Sequence, residues 1–417
     1  MSPDLSVSEL HQVVRRLEAK SRLRPSVGPA APLEELLGGA IEETERGRVL
    51  LVRRRFALPH RHGQQDLSHG RELVSLPLRL LTRSEIPPPD GDRLLYLDTE
   101  TTGLAGGTGT YAFLVGVGFF DGDGFEVRQY FMRDLDDEPA LLAALEALFR
   151  SFDGFVTYNG AGFDLPLLET RFVLARRRWP GDRFHLDLVN PARRLWSERF
   201  DDCRLGTLEE HVLRFTRDDD LPGASIPSVY FDYLRMKRPG ELPRVFEHNR
   251  HDILSLAALT GWVAAAVARA PEPDLSPEEL AGLGRIWEAA DLDRGLACYR
   301  MALERGLGSP GRERLLFRLG RWEKRLARWD EARALWEAAI SVDHGFDPRP
   351  WEEIAKLYEH RQRDFVAARG VVEDALSRAR LHRASERVLG AFEHRLERLT
   401  RRLAIGGGLD NPLRGFP

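Results

Sequence analysis

The sequence predicts a chain in two parts: a mixed α/β sheet flanked by helices, followed by an all-helical domain. Three observations carry this. Three β-rich runs fall between Leu94 and Met132, helix and strand patterns alternate from there to about residue 268, and strand signals stop after Pro271-Glu272-Pro273. Length agrees, because 417 residues exceed one ordinary core and suggest two or three domains.

Composition narrows the class. With 30% charged and 42% hydrophobic residues the chain has the balance of a soluble globular protein, neither disordered nor membrane-embedded. Its formal charge of −4 would not draw in an anionic polymer, so any grip on one must come from local basic patches. The start, MSPDLSVSEL, lacks a basic segment followed by an apolar run, which leads to the expectation of a cytoplasmic protein. The apolar span Ala257–Ala270 falls short of the roughly 20 residues a bilayer requires and reads as a buried helix end, so no membrane association is expected. Cys203 and Cys298 are far apart and lack a C-x-x-C partner; they read as core thiols in a reducing compartment and argue against a cysteine zinc site.

Along the chain, Ser6 and Glu9 stand in capping-box spacing ahead of Leu10, Val13, Val14 and Leu17, one short amphipathic helix. Val49–Phe56, centred on Arg53-Arg54-Arg55, reads as an edge strand. Pro87-Pro88-Pro89 cannot continue a helix or a central strand and marks a boundary. Strands are then predicted at Leu94–Asp98, Tyr111–Phe120 and Phe125–Met132, the last two joined by the hairpin turn Asp121-Gly122-Asp123-Gly124. Leu141, Leu142, Leu145 and Leu148 mark a helix face, Phe155–Tyr158 a fourth strand and Leu165–Arg177 a helix, and a long helix from about Pro243 to Ala268 closes the domain. The expected boundaries are an N-terminal extension at 1–90, the α/β domain at 91–270, the helical domain at 275–403 and a flexible tail at 404–417. In the helical part, RGLACYRMAL (294–303), EARALWEAAI (331–340) and AARGVVEDAL (367–376) recur at a spacing near the roughly 34 residues of tetratricopeptide-like hairpins. The Trp-, Gly- and Pro-bearing consensus is incomplete, so generic helical hairpins stay open beside that reading.

The chemistry sits in carboxylates. Asp98 and Glu100 end a strand two residues apart and so share a face. Such a pair points to a metal or a shared proton, or else to a solvated turn. Asp164 follows a short strand and a glycine-rich turn and could equally cap a helix. His248 and Asp252 are four apart and share a helix face, whereas His251 is turned away; alone, this is also an ordinary helix surface.

Taken together, DTETTG (98–103), YNGAGFD (158–164) and HNRHD (248–252) stand in the order and context of the three motifs of DEDD exonucleases. The segment 94–268 resembles that superfamily, with its RNase H-like fold, and is most similar to the YprB-type group. GLAGGTGTYAFLVGVGFF, HLDLVNPARRLW and CRLGTLEEHVL support the resemblance. It implies phosphodiester hydrolysis of DNA or RNA, 3′ to 5′, by two Mg²⁺ or Mn²⁺ ions held by Asp98, Glu100, Asp164 and Asp252, with Asp98 bridging. It also implies substrate contacts at Thr101, Gly103, Asn159 and Gly160. One departure stands out: the family's third motif reads Tyr-x3-Asp or His-x4-Asp, and here it is His-x3-Asp. His248, favoured over His251, would orient or deprotonate water. Asp187 is expected to cap a helix.

Weaker signals have ordinary explanations beside them. His60 and His62 on one strand face, without a third ligand, read as surface. Gly106-Gly107-Thr108-Gly109 lacks the Gly-Lys-Ser/Thr of a triphosphate loop. Arg171, Arg176, Arg177 and Arg178, with Arg193 and Arg194, are either phosphate contacts or a solvated basic face. The arginine-rich run His394–Arg402 suits a protein partner, solubility or RNA equally. The competing class is a non-catalytic RNase H-like scaffold that binds protein or nucleic acid through its helical repeats.

Overall fold

The computed structural model describes residues 32–73, 75–82, 84–103, 108–341 and 345–406. The helix expected near residues 6–20, the Gly106-Gly107 pair and residues 407–417 of the expected tail lie outside the described residues. The chain forms two compact units, Met1–Glu272 and Pro273–Pro417.

Among its described residues the first unit begins with α1 (Leu33–Leu37) and the hairpin β1 (Gly39–Thr44) and β2 (Gly47–Ala57). A small hairpin, β3 (Arg61–His62) and β4 (Gln65–Asp66), and α2 (Ser75–Leu81) lead to β5 (Leu94–Thr101), β6 (Ala112–Asp121) and β7 (Gly124–Phe131). Then come α3 (Glu138–Phe149), β8 (Gly154–Thr157), α4 (Asp164–Leu174), β9 (Phe184–Asp187), α5 (Val189–Trp196) and α6 (Leu205–Leu208), which runs into a wide turn at Glu209–Leu213. Helices α7 (Ile226–Met236) and α8 (Leu242–Arg269) complete it. Seven strands share one sheet in the order β1-β2-β7-β6-β5-β8-β9. The pairs β5–β8 and β8–β9 are parallel and the rest antiparallel, the mixed sheet that the strand pattern predicts.

Two elements differ from expectation. The run at Val49–Phe56 is not at the edge, because β1, which the sequence pattern did not reveal, covers it. Val49–Val52 are buried at four consecutive positions, as a strand covered on both faces requires. Helix α4 stops at Leu174, so Arg176, in the left-handed region at φ 56°, lies beyond it.

Helix α8 lies against β5, β6 and β7. It can approach closely because β6 carries Gly116 and Gly118 beneath it: a Cβ at Gly116 would stand 2.1 Å from Asn249 Oδ1, and one at Gly118 2.4 Å from Ile253 Cγ2. The helix is long and apolar enough by composition to cross a membrane, but 72% of that window is buried inside the protein, the placement of a core helix. Phe113 of β6 and Tyr230 of α7 stack with ring centroids 4.0 Å apart at 3°.

The second unit is helical throughout its described residues. Three antiparallel hairpins pair α9 (Pro277–Trp287) with α10 (Leu292–Glu304), α11 (Gly311–Arg325) with α12 (Trp329–Ile340), and α13 (Pro348–Lys356) with α14 (Phe365–Leu381); α15 (Glu386–Gly406) packs on α14. Ser276 and Glu279 close a full capping box at the first of these. The arginine-rich run on α15 contributes to this packing, since Arg395, Arg398 and Arg402 turn toward Glu359, whose side chain is fully buried. A buried carboxylate needs such counter-charges.

Candidate metal centre

Strand β5 supplies the first two carboxylates. Asp98 lies opposite Gly116 and Glu100 opposite Leu114, and a register shift follows between Glu100 and Thr101. The side chain of Asn249 on α8 donates to Asp98 Oδ2 at 2.8 Å. Asn249 is itself oriented by Gln129 of β7, whose amide donates to Asn249 Oδ1 at 2.9 Å and to the Phe246 carbonyl at 2.8 Å. With its oxygen so engaged, the Asn249 amide must present its NH₂ to Asp98.

Asp164 begins α4, yet its Oδ1 turns to β5, accepting from Thr99 N at 3.1 Å and Thr99 Oγ1 at 2.6 Å. The glycine-rich turn before it is held from β9: Asp187 accepts from Asn159 N at 2.6 Å, Ala161 N at 3.0 Å and Val189 N at 3.1 Å. Asp187 thus serves the start of α5, as the sequence suggests, and fixes the turn as well. Asn159 sits there at φ 63°, a conformation asparagine tolerates better than most residues.

Asp252 and His248 come from α8. His248 Nε2 stands 3.5 Å from Asp252 Oδ2 and 4.0 Å from Glu100 Oε1, and its Nδ1 lies 2.8 Å from Asp220 Oδ1. Nδ1 also lies 3.2 Å from Arg217 Nη1; in the tautomer whose Nδ1–H donates to Asp220, Nε2 is the free ring nitrogen facing the carboxylates. Among the described residues, Glu100, His248 and Asp252 offer ligand atoms all within 4.8 Å of one another. Asp98 is outside that trio. His251 points elsewhere, 3.0 Å from Glu247 and edge-on to Phe215.

The electrostatics suit a cation site. Burial, followed by the fields of Asp252, Asp164 and Glu100, pushes the Asp98 carboxyl well above the usual range, and the Asn249 bond offsets only part of this. Burial and the charges of Asp252 and Asp164 do the same to Glu100. Burial carries Asp164 up to about 6 against the opposing Thr99 bonds. Clustered buried carboxyls of this kind can hold protons or hard cations, and oxygen donors suit Mg²⁺ or Mn²⁺.

One cation of the protein's own is already present. Arg217 donates to Glu209 at 2.5 Å and 2.8 Å, to Asp220 at 3.3 Å and to Asp252 Oδ1. Glu209 is buried and also accepts from Ser255 Oγ, which lies 2.7 Å from His62 Nε2. His62 is therefore no surface residue; it is 3% exposed, and burial lowers its pKa to about 3.

Two clefts meet at this centre, both lined by Asp98 and Tyr158. One, of about 460 Å³, is bounded by Glu209, Arg217, Asp220, His248 and Asp252. The other, of about 440 Å³, is bounded by Thr101, Gly103, Asn159, Phe163 and Asp164. Three of the four expected substrate contacts therefore face a cleft. Gly160 is buried instead, where a Cβ would stand 2.5 Å from Thr157. Of the arginines offered as phosphate contacts, Arg171 is unavailable: it is 4% exposed, bound through two nitrogens to Glu138, and lies over Tyr111. Arg177 is tied to Glu146 and Glu45.

Sequence reasoning missed Asn249, Gln129, Arg217, Glu209 and Asp220. A signal existed for Asn249, three residues before Asp252 and so on the same helix face, opposite the small residues of VGVG. None existed for Arg217, whose partners are set by the fold.

The RNase_H_2 family model, of the RNase_H superfamily, matches residues 95–264. The chain is 30% identical over 352 residues to the Uncharacterized protein YprB of Bacillus subtilis (strain 168), a match covering 83% of this chain and 84% of that protein. Among solved structures it is similar to the family B DNA polymerase from the hyperthermophilic archaeon Pyrobaculum calidifontis, with a TM-score of 0.33 and 17% identity over 50% of this chain and 30% of that one. At that level the likeness bears on neither function nor mechanism.

Proposed function

Because this chain belongs to the YprB family and carries an RNase H-like domain, we propose that it is a divalent-metal-dependent nuclease, a hydrolase that removes nucleotides in the 3′ to 5′ direction. The observation that carries the reading is the trio Glu100, His248 and Asp252, whose ligand atoms lie within 4.8 Å of one another, beside the buried carboxyls of Asp98 and Asp164, at the cost of raised pKa values at Asp98, Glu100 and Asp164. Such a cost without a ligand is hard to account for in a binding module. On the family's motifs the residues that would hold two Mg²⁺ or Mn²⁺ ions are Asp98, Glu100, Asp164 and Asp252, with His248 beside Glu100 and Asp252. When bound, such ions supply charge neutralisation at the phosphate and an activated water.

The chain's own groups do the rest. Asn249 fixes the orientation of Asp98, and Thr99 that of Asp164. Asp220 holds the His248 ring so that Nε2 can take a proton from, or orient, an attacking water. Phe163, 58% exposed at the cleft, offers a face on which a base can stack. We read the helical hairpins of the second unit as tetratricopeptide-like and able to take a protein partner, and the free thiols Cys203 and Cys298 as fitting the cytoplasm.

A second reading, a non-catalytic RNase H-like scaffold, draws on one observation: the Arg217 guanidinium sits on Asp252, a charge where a metal ligand would be expected to stay free. End-labelled single-stranded and duplex DNA and RNA decide between them. Laddering that requires Mg²⁺ or Mn²⁺ and is lost in Asp98→Ala supports the nuclease; an inert wild-type protein on every substrate leaves the scaffold.

A further inference from the structure

We propose that the helical unit carries a second binding site, a cleft of about 350 Å³ that takes the phosphates and bases of a single-stranded nucleic acid. The proposal rests on the nuclease reading and gives that activity a strand-holding site in the helical unit, built from residues other than the carboxylates.

The cleft is built largely from one helix. Arg314, Arg318, Arg321 and Arg325 recur at intervals of three and four along α11, so they share a face, and Arg349 from α13 joins them. Among the described residues, the one acidic lining residue is Glu288, at the end of α9. Five guanidinium groups line it against one carboxylate; Arg318 is paired with Glu288 and Arg349 with Asp347, and the exposed Arg321 and Arg325 make up the excess charge.

That one carboxylate is fully engaged. Glu288 accepts from Arg318 Nε at 2.8 Å, from the Tyr299 hydroxyl at 2.8 Å and from Trp322 Nε1 at 3.3 Å. It fixes Arg318 and Trp322 in place and has little left to neutralise the others. Arg349 is held by Asp347 through two nitrogens and lies over Phe317 at 5.0 Å. Arg325 lies over Trp322 at 4.6 Å. Arg321 and Arg325 are exposed and make no ion pair among the described residues.

Like charges one helical turn apart destabilise a helix, and Glu288, bound to Arg318, leaves the charges of Arg321 and Arg325 unbalanced. An anion in the cleft removes the repulsion. Arginine forks match phosphate oxygens two at a time, and the half-buried Trp322 indole beside Arg325 suits a base. An acidic peptide would satisfy the charge but offer no base to the Trp322 indole, so the combination favours a nucleic acid strand.

The test uses the full chain and its Arg321→Glu/Arg325→Glu variant, with Arg321→Gln/Arg325→Gln as a gentler pair. Binding of a fluorescent oligothymidine of roughly 20 nucleotides is followed by anisotropy in EDTA, at several KCl concentrations. The charge-reversed variant should bind at least about tenfold more weakly, with a salt dependence shallower by about one or two counterions, and the glutamine pair should fall between. Affinity and salt slope equal to wild type would overturn the proposal, as would a glutamate-rich peptide that displaces the oligonucleotide and binds more tightly. Hydrolysis of a dinucleotide, whose single phosphodiester fills only the carboxylate site, is measured in parallel with Mn²⁺. A wild-type protein that leaves the dinucleotide and longer strands intact while binding depends on Arg321 and Arg325 removes the nuclease reading and keeps the cleft. Cleavage with binding indifferent to both arginines does the reverse.

Discussion

Asn249 reaches Asp98 across a gap that only a glycine leaves open: its amide donates to Asp98 Oδ2 at 2.8 Å, while Gly116, paired with Asp98 in the sheet, has no side chain to hold α8 away. Gly116→Ala would place a methyl 2.1 Å from Asn249 Oδ1, where backbone and a buried amide must yield. The expected cost is about 1–3 kcal/mol of stability. Urea unfolding gives that number, and the rate of metal-dependent cleavage should fall with it. Stability within error of wild type would mean that α8 and β6 do not approach this closely.

Asn249→Ala tests orientation apart from overpacking. It leaves Gln129 Nε2 without its side-chain acceptor and Asp98 without its donor. Outer partners of metal ligands typically contribute about 10–100-fold to metal affinity or activity. Calorimetric titration with Mn²⁺ should show weaker binding by a factor in that range; unchanged affinity would reduce Asn249 to a packing role.

The His248–Asp220 pair makes a different prediction. Asp220→Asn removes the negative charge 2.8 Å from Nδ1 and frees the ring to choose the other tautomer. Loss of an oriented general base typically lowers a rate by about 10²–10⁴-fold. The expected signature is a drop in kcat of that order with little change in KM, equal to the drop in His248→Ala and not added to it. Additive effects would show that the two residues act independently.

The parts of this site that could be read from the sequence are those whose spacing alone defines a surface. Asp98 and Glu100 share a strand face, and His248 and Asp252 a helix face, whatever the tertiary structure. The β-rich runs from Leu94 to Met132 and the loss of strand signals after Pro273 likewise followed from local pattern, and the sheet and the helical unit formed where they indicated. Strand β1 was hidden because GAIEET has few apolar residues and no residue of it is fully buried. Helix α4 was overextended because Ala175-Arg176-Arg177 continues a good helical composition; Arg176 turns left-handed, and the Arg177 N–H returns to the Phe172 carbonyl. Arg217 and Glu209 could not be assigned, since a buried ion pair is a property of two segments brought together.

Arg217 and Glu209 nonetheless make a sharp prediction. Arg217→Gln leaves Glu209, 2% exposed, without its principal counter-charge, and breaking such a buried pair typically costs about 3–5 kcal/mol. Glu209→Gln in the same background should recover much of that loss while leaving Asp252 without its guanidinium partner. A double-mutant cycle by thermal unfolding measures the coupling; additive single effects would mean that the pair is not the source of the stability.

The same carboxylates that make the site also make the metal-free protein sensitive to pH. Asp164 is raised from 3.8 to about 6, and Asp98 and Glu100 rise well above their ordinary values, so the folded chain holds these protons more tightly than the unfolded one. Folding therefore takes up protons between the ordinary and raised values. The associated stabilisation is complete below the ordinary carboxylate range and is lost as pH climbs through the raised values. Each tenfold gain in proton affinity on folding corresponds to about 1.4 kcal/mol, so in EDTA stability should fall by about that much or more between roughly pH 5 and 7. Mg²⁺ or Mn²⁺ should offset the loss at the upper end and do little at the lower, because protons and cations compete for the same oxygens. Asp164→Asn should flatten the profile in EDTA. Unfolding curves at both pH values, with and without metal, decide it: a wild-type profile already flat in EDTA would mean that these carboxyls are not held protonated by burial.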